Sequence, residues 1–285
     1  MKTRPLLALL TIALGGSLLH AEPVTEKPFR IVTASYPVYL MALNVAWNIP
    51  GVEVSCLRPA ASEERSDMAS PGACAALDRA DVLVAHGAGI ELSLDETAIR
   101  YPKLPIVETA EGIARPGEED ARLPWIWMSV SDTIMEVGNL GRALRKIDPA
   151  RRERYALNAE RCVARLEALR DRMKGSFDPY RGVKAAALDG ASTRFAREAG
   201  LDAVTAASPE EAVAVVKETD AQVVLVSPRV PAEAARLIAR ETRRPVCVID
   251  PVAGGPDRPG AYLAIMVENL KSLRAALRVA SGVRP

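Results

Sequence analysis

Apolar and polar positions along the chain alternate between two periods. Short β-branched or apolar runs occur at Phe29 to Ala34, Val52 to Leu57, Asp81 to His86 and Pro105 to Glu108. Between them, apolar residues recur at helical spacing near 37–48, 71–80 and 92–99. Such alternation predicts parallel strands joined by helical crossovers. The second half repeats the plan, with strands at Lys184 to Leu188, Ala203 to Thr205, Val223 to Val226 and Val246 to Ile249. Its helices fall near 193–200, 209–217, 231–242 and 261–280. The expected fold is α/β, with two similar lobes, each a parallel four-stranded sheet with flanking helices.

The middle of the chain carries no strand pattern. Ser131 reads as a helix cap, followed by Ile134, Val137, Leu140, Leu144 and Ile147 on one face. Asp148-Pro149 interrupts this helix, because proline disfavours helical geometry at the residue before it. A second stripe runs through Tyr155, Ala159, Cys162, Val163, Leu166, Leu169 and Met173 to Lys174-Gly175, and Gly175 and the later Asp178-Pro179 both suit its end. A helix of that extent is about 36 Å long at 1.5 Å per residue, enough to lie along both lobes. One long linking helix therefore joins the lobes and restricts hinge opening. The implied organisation is a leader over 1–21, an N-terminal lobe over 22–130, linking helices over 131–175 and a C-terminal lobe over 176–285.

The N-terminus changes where this fold is expected to work. Lys2 and Arg4 precede an apolar run from Leu6 to Leu19, and Leu19-His20-Ala21 stands before Glu22. This pattern fits a cleavable signal peptide. The run is short of the roughly 20 residues that span a bilayer. No cysteine follows it, so an exported protein without a lipid anchor is expected, located in the periplasm. Lysine and arginine number 37 against 36 acidic residues, with no basic run, which argues against a nucleic-acid partner.

Four cysteines, Cys56, Cys74, Cys162 and Cys247, remain after export, and three pairings are open. Cys56 and Cys247 sit in apolar runs and read as buried thiols. No Cys-x-x-Cys spacing is present, which disfavours structural zinc or a thioredoxin-like centre. Cleavage would leave His86 as the sole histidine. No Ser/His/Asp arrangement or phosphate-binding glycine loop accompanies it, so an enzyme is not expected.

Several segments in order carry a family resemblance. Ala34-Ser35-Tyr36-Pro37-Val38-Tyr39 forms a strand-to-helix turn, and Ala80-Asp81-Val82-Leu83-Val84-Ala85-His86-Gly87-Ala88-Gly89-Ile90-Glu91 is similar to an A-D-hydrophobic-N-G-x-G-x-E motif. Leu123-Pro124-Trp125-Ile126-Trp127-Met128-Ser129 looks like P-H-x-W-x-S-P, Ile249-Asp250-Pro251 supplies a D-P after the last strand, and Tyr262 to Leu270 matches Y-x-x-x-M-x-x-N-L. Together they resemble the periplasmic zinc- and manganese-binding proteins of bacterial ABC transporters, a group that includes adhesin-like lipoproteins. The resemblance implies a substrate-binding component working with a permease and, through it, an ATPase. It also implies a ligand site between the lobes.

In that family three or four nitrogen and oxygen ligands hold the metal. Carried onto this chain, the first histidine position falls at Arg65, the second at Trp125 and the third near Leu188 or Asp189. Only Asp250 matches a ligand. Arginine stays protonated and tryptophan offers only an N–H donor, so neither coordinates a cation. Bare zinc is therefore not expected. Relocated ligands are the alternative: Glu63, Glu64 and Asp67 with Asp189 and Asp250 for a hard divalent ion, or Met68 and Met128 for copper(I). The acidic loop Gly117 to Asp120 reads as solvent-facing linker.

The expected cleft lining is Arg65, Trp125, Trp127, Asp189, Asp250 and His86. Trp125 and Trp127 are either core aromatics or a flat binding surface. A cation, aromatic faces and carboxylates suit a small organic ligand or a metal held by a siderophore-like chelator. No cofactor is assigned beyond a divalent or chelated metal ion as cargo. The competing function is an accessory protein that assists a second, metal-binding periplasmic protein.

Overall fold

The computed structural model describes residues 27–57, 68–91, 93–113 and 125–282. The first lobe holds β1 (Phe29–Thr33), α1 (Tyr36–Val45), β2 (Val52–Cys56), α2 (Pro71–Leu77), β3 (Val82–Ala85), α3 (Leu94–Arg100) and β4 (Ile106–Glu108). All four strands run parallel in the order β2-β1-β3-β4. The buried Val-Leu-Val-Ala run of β3 suits a strand covered on both faces.

The second lobe repeats this with β5 (Lys184–Ala187), α6 (Gly190–Glu198), β6 (Asp202–Thr205), α7 (Pro209–Thr219), β7 (Val223–Val226), α8 (Ala232–Thr242), β8 (Val246–Val248) and α9 (Ala261–Ala280). Its order is β6-β5-β7-β8, again parallel. Two four-stranded α/β lobes are thus present as expected. In each sheet the strand order reverses beside the first strand, and such switch points place ligands beyond the carboxyl ends of the strands.

Between the lobes run α4 (Val130–Ile147) and α5 (Arg152–Phe177). At 26 residues α5 is about 39 Å long. It packs against α4, against α1 of the first lobe and against α9 of the second. One local expectation is corrected here. Ser129, not Ser131, caps α4, accepting from Asp132 N at 3.1 Å; the helix already begins at Val130, so Ser131 lies inside its first turn, where its N–H and hydroxyl donate to Glu198 of the second lobe. Of the two signals for the end of α5 the structure uses the later: the helix passes Gly175 to Phe177, which is buried in the core, and closes at Asp178-Pro179.

One apolar cluster passes through both lobes. It joins Ile31, Leu40 and Val84 of the first to Leu140 and Leu166 of the connecting helices and to Phe195, Leu225 and Leu273 of the second. Smaller clusters cover the outer faces, one around Leu83 and Leu77, the other around Val224 and Ile238. Apolar surface shared across the lobes opposes opening, since separating them would return that surface to water. Cys247 is buried, with burial pushing its thiol up to about 12. Cys56 departs from the expected buried thiol and is half-buried at the end of β2. Among the described residues no helix is long and apolar enough to cross a membrane.

Candidate interlobe ligand site

The carboxyl ends of the strands deliver the candidate residues. Tyr36 and Tyr39 follow β1, His86 follows β3, Asp189 follows β5 and Asp250 follows β8. Trp125 precedes a 3-10 turn, Ile126–Met128, which leads into α4. Trp125 meets Trp127 edge-on, with ring centroids 5.3 Å apart and planes at 66°.

Trp127 is almost fully buried and reaches across to the second lobe. Its indole nitrogen donates to the Pro251 carbonyl at 2.9 Å. Its own carbonyl accepts from the Tyr262 hydroxyl at 2.7 Å and from the Thr133 hydroxyl at 3.3 Å. The ring lies over His86, 4.8 Å between centroids and 19° from parallel. His86 itself does not open onto the cleft: it is fully buried, with Nδ1 2.6 Å from Glu136 Oε1. The Thr109 hydroxyl donates to the same carboxylate oxygen at 2.7 Å. Burial opposes protonation of His86, but the Glu136 charge, the Glu136 hydrogen bond and the Glu91 charge outweigh it and push the imidazole above its ordinary 6.5.

Asp250 is half-buried on a strained turn. Its Oδ1 accepts from Val252 N at 2.8 Å, and Val252 is fully buried at φ 56°. A β-branched residue in that region is an outlier that the surroundings must enforce, at a cost of about 1–3 kcal/mol. Asn269 supplies part of that enforcement. Its side chain clamps both backbone groups of Asp250, accepting from N and donating to O, each at 2.8 Å. Burial raises the Asp250 carboxyl above its usual range, more than the Val252 hydrogen bond lowers it. No lysine or arginine forms an ion pair with Asp250 among the described residues.

Tyr36 holds the far end of the same turn by donating to the Pro256 carbonyl at 3.1 Å. Burial, then the charges of Asp257, Tyr39, Asp250 and Cys56, push its phenol up to about 12. Tyr39 is raised by burial, Asp257 and Cys56. The Pro251 to Pro256 turn is therefore pinned to the first lobe at both ends, with Asp250 leading into it.

Asp189 has a different job. Its Oδ1 accepts from Ser192 N at 2.7 Å and its Oδ2 from Ser192 Oγ at 3.1 Å, so both oxygens cap α6. Arg65, Glu63, Glu64, Asp67 and the Gly117 to Asp120 loop lie outside the described residues. Met68 and Met128 pack in separate apolar clusters, so the structure does not bring them together as a copper site. Among the described residues no group of three or more His, Cys, Asp or Glu is placed to hold a metal ion.

Three contributors carry no role that the sequence alone assigns: Asn269, Tyr36 and Tyr39. A signal exists for Asn269, a lone amide on the apolar face of α9. Tyr36 and Tyr39 stand in a recognised turn, but nothing in it reveals that they approach Asp257, more than two hundred positions away.

Two parallel α/β lobes on a shared helical backbone, with aromatics and a carboxylate at the strand ends between them, define a two-lobed binding protein. Residues 31–276 match the model of the zinc-uptake complex component A family, described as periplasmic, and the chain belongs to that family. Among solved structures it is similar to FpvC, a substrate-binding protein of Pseudomonas aeruginosa in complex with Ni2+, with a TM-score of 0.77 at 23% identity over 89% of this chain and 98% of that one. It is also similar to the metal-dependent lipoprotein YcdH of Bacillus subtilis, with a TM-score of 0.76 at 21% identity over 87% and 99%. Both likenesses concern the fold. The iron-binding protein YfeA of Yersinia pestis is 27% identical over 174 residues, 57% of this chain and 55% of YfeA. The chain thus spans about half the length of that curated relative.

Proposed function

We propose that this protein is the periplasmic substrate-binding component of an ABC-type metal uptake system and that its interlobe cleft takes a metal chelate of siderophore type, or another small organic ligand, instead of bare zinc. A cleavable signal over 1–21 exports it without a lipid anchor. Its partners are a permease and, through it, an ATPase.

The observation that carries this reading is Trp125, packed against Trp127 where the resemblance places a metal-binding histidine. An indole has an N–H donor and a π face but no lone pair for a metal. Asp250 remains as the one matched ligand, and a single carboxylate is a poor zinc site. The partly exposed Trp125 ring, packed on a Trp127 that bonds to Pro251 next to the half-buried Asp250, favours a ligand with a planar or cationic organic part. A metal then arrives with its own donors. Asp189 contributes indirectly, by fixing α6, and Arg65 stays a proposed lining residue.

The test is to purify the protein from its native periplasm and identify what accompanies it by mass spectrometry and elemental analysis. An organic molecule, with or without metal, at one equivalent is expected. Zinc at one equivalent that survives washing with a chelator, with no organic molecule, would overturn the proposal.

A further inference from the structure

His86 and Glu136 form a buried pair that the ligand-site reading leaves without a task. Both side chains are fully buried, and His86 Nε2 and Glu136 Oε2 have no hydrogen-bond partner. No lysine or arginine pairs with Glu136 among the described residues. An isolated carboxylate is strongly disfavoured in such surroundings, so a proton on His86 is what makes the pair tolerable. The Trp127 ring lies flat against this imidazole, and its negative face attracts an imidazolium. The same ring donates its indole N–H to the second lobe at Pro251.

We propose that the imidazolium form of His86, held by Glu136, positions Trp127 as the latch between the lobes, so that the cleft beside Asp250 follows the proton on His86. The consequence for binding rests on the interlobe cleft being the ligand site, but the latch itself does not. Charged and titratable groups face His86 from every side. Glu136 comes from α4, and Glu91 accepts from the backbone N–H groups of His86 and Gly87, each at 2.9 Å. Glu108 at the end of β4 closes on Gly87. Tyr262 from α9 is raised by burial and then by the Glu136 and Glu198 charges, against its Thr133 hydrogen bond. Because the folded value of His86 is raised, the latch is complete below pH 6.5 and is lost as pH rises through that higher folded value.

The experiment uses the full chain in a His20→Asn background with 13C-labelled histidine, so that His86 alone reports. The His86 midpoint is expected above 6.5. Exchange of the Trp127 indole hydrogen, assigned with Trp127→Phe, is read relative to the exposed Trp47 indole, which cancels the intrinsic pH dependence. That ratio should rise about fivefold across the His86 midpoint, the factor matching the net worth of one hydrogen bond. In Glu136→Gln the midpoint should fall below the ordinary value, taking the indole transition with it. A parent midpoint at or below 6.5, or an indole ratio that stays flat across it, overturns the proposal. Both readouts are taken on the parent chain, so the proposal stands or falls even where a variant misfolds. Neither needs a ligand, so failure of the uptake reading would not imitate failure of the latch.

Discussion

The indole nitrogen of Trp127 and the carbonyl of Pro251 meet at 2.9 Å although 124 positions separate them in the chain. This bond ties the turn after the last strand to the start of the connecting helices. Replacing Trp127 by Phe keeps an aromatic ring over His86 and removes the donor. The loss should be about 1 kcal/mol, lowering Tm by about 2–4 °C for a chain of this size. Thermal unfolding followed by circular dichroism checks it.

Asp250→Asn should not destabilise the ligand-free protein at neutral pH. Asparagine keeps an oxygen acceptor for Val252 N and removes a charge that burial disfavours. A carboxyl raised on folding binds its proton more readily in the folded state. The parent's stability from this group is therefore present below 3.8 and declines as pH rises through the folded value. The variant's advantage should be absent at pH 3.5 and present at pH 7. Urea unfolding at both values measures the difference, and a variant less stable than the parent at pH 7 would contradict it.

Glu198 on α6 takes three hydrogen bonds from the start of α4: Ser129 Oγ at 3.0 Å, Ser131 N at 3.0 Å and Ser131 Oγ at 2.7 Å. Alanine at this site should cost about 3 kcal/mol, since hydrogen bonds to a charged acceptor are the stronger kind. Glutamine should recover part of that loss. Equilibrium denaturation of both variants gives the comparison.

Gly141 of α4 faces Ala159 of α5 at close range. A Cβ built there would stand 2.6 Å from the Ala159 Cβ, inside any normal contact. Gly141→Ala should therefore destabilise by about 1–3 kcal/mol despite alanine's better helix propensity. Pairing it with Ala159→Gly should restore part of the stability. A double-mutant cycle tests whether the two changes compensate.

Much of the fold is legible in the chain because its signals are local. The Val223 to Val226 run declares a buried strand by its shortness and β-branched residues, and the stripe from Tyr155 to Met173 declares a long helix by its period. Expectation and structure part at single residues. Ser131 looks like a helix cap, but α4 already begins at Val130, so Ser129 caps it and Ser131, inside the first turn, donates to Glu198 from the other lobe. Of the two signals for the end of α5, Gly175 is passed because Phe177 is buried in the core, and Asp178-Pro179 just beyond it closes the helix. Asp189 groups with the cleft residues by motif position, while its oxygens are taken by Ser192 in the first turn of α6.

The sequence by itself determined two parallel α/β lobes and the helices between them, and its family resemblance puts Trp125 where a metal-binding histidine is expected. Each follows from residue type, spacing or motif order, which the chain carries directly. Only the tertiary structure decided that His86 turns away from the cleft to Glu136, that Trp127 bridges to Pro251, and that Asn269 and Tyr36 hold the turn around Asp250. The contacts of His86, Trp127 and Tyr36 join residues fifty to more than two hundred positions apart. Their partners are set by how α4, α9 and the strand ends pack around one shared core, and no local pattern records that packing.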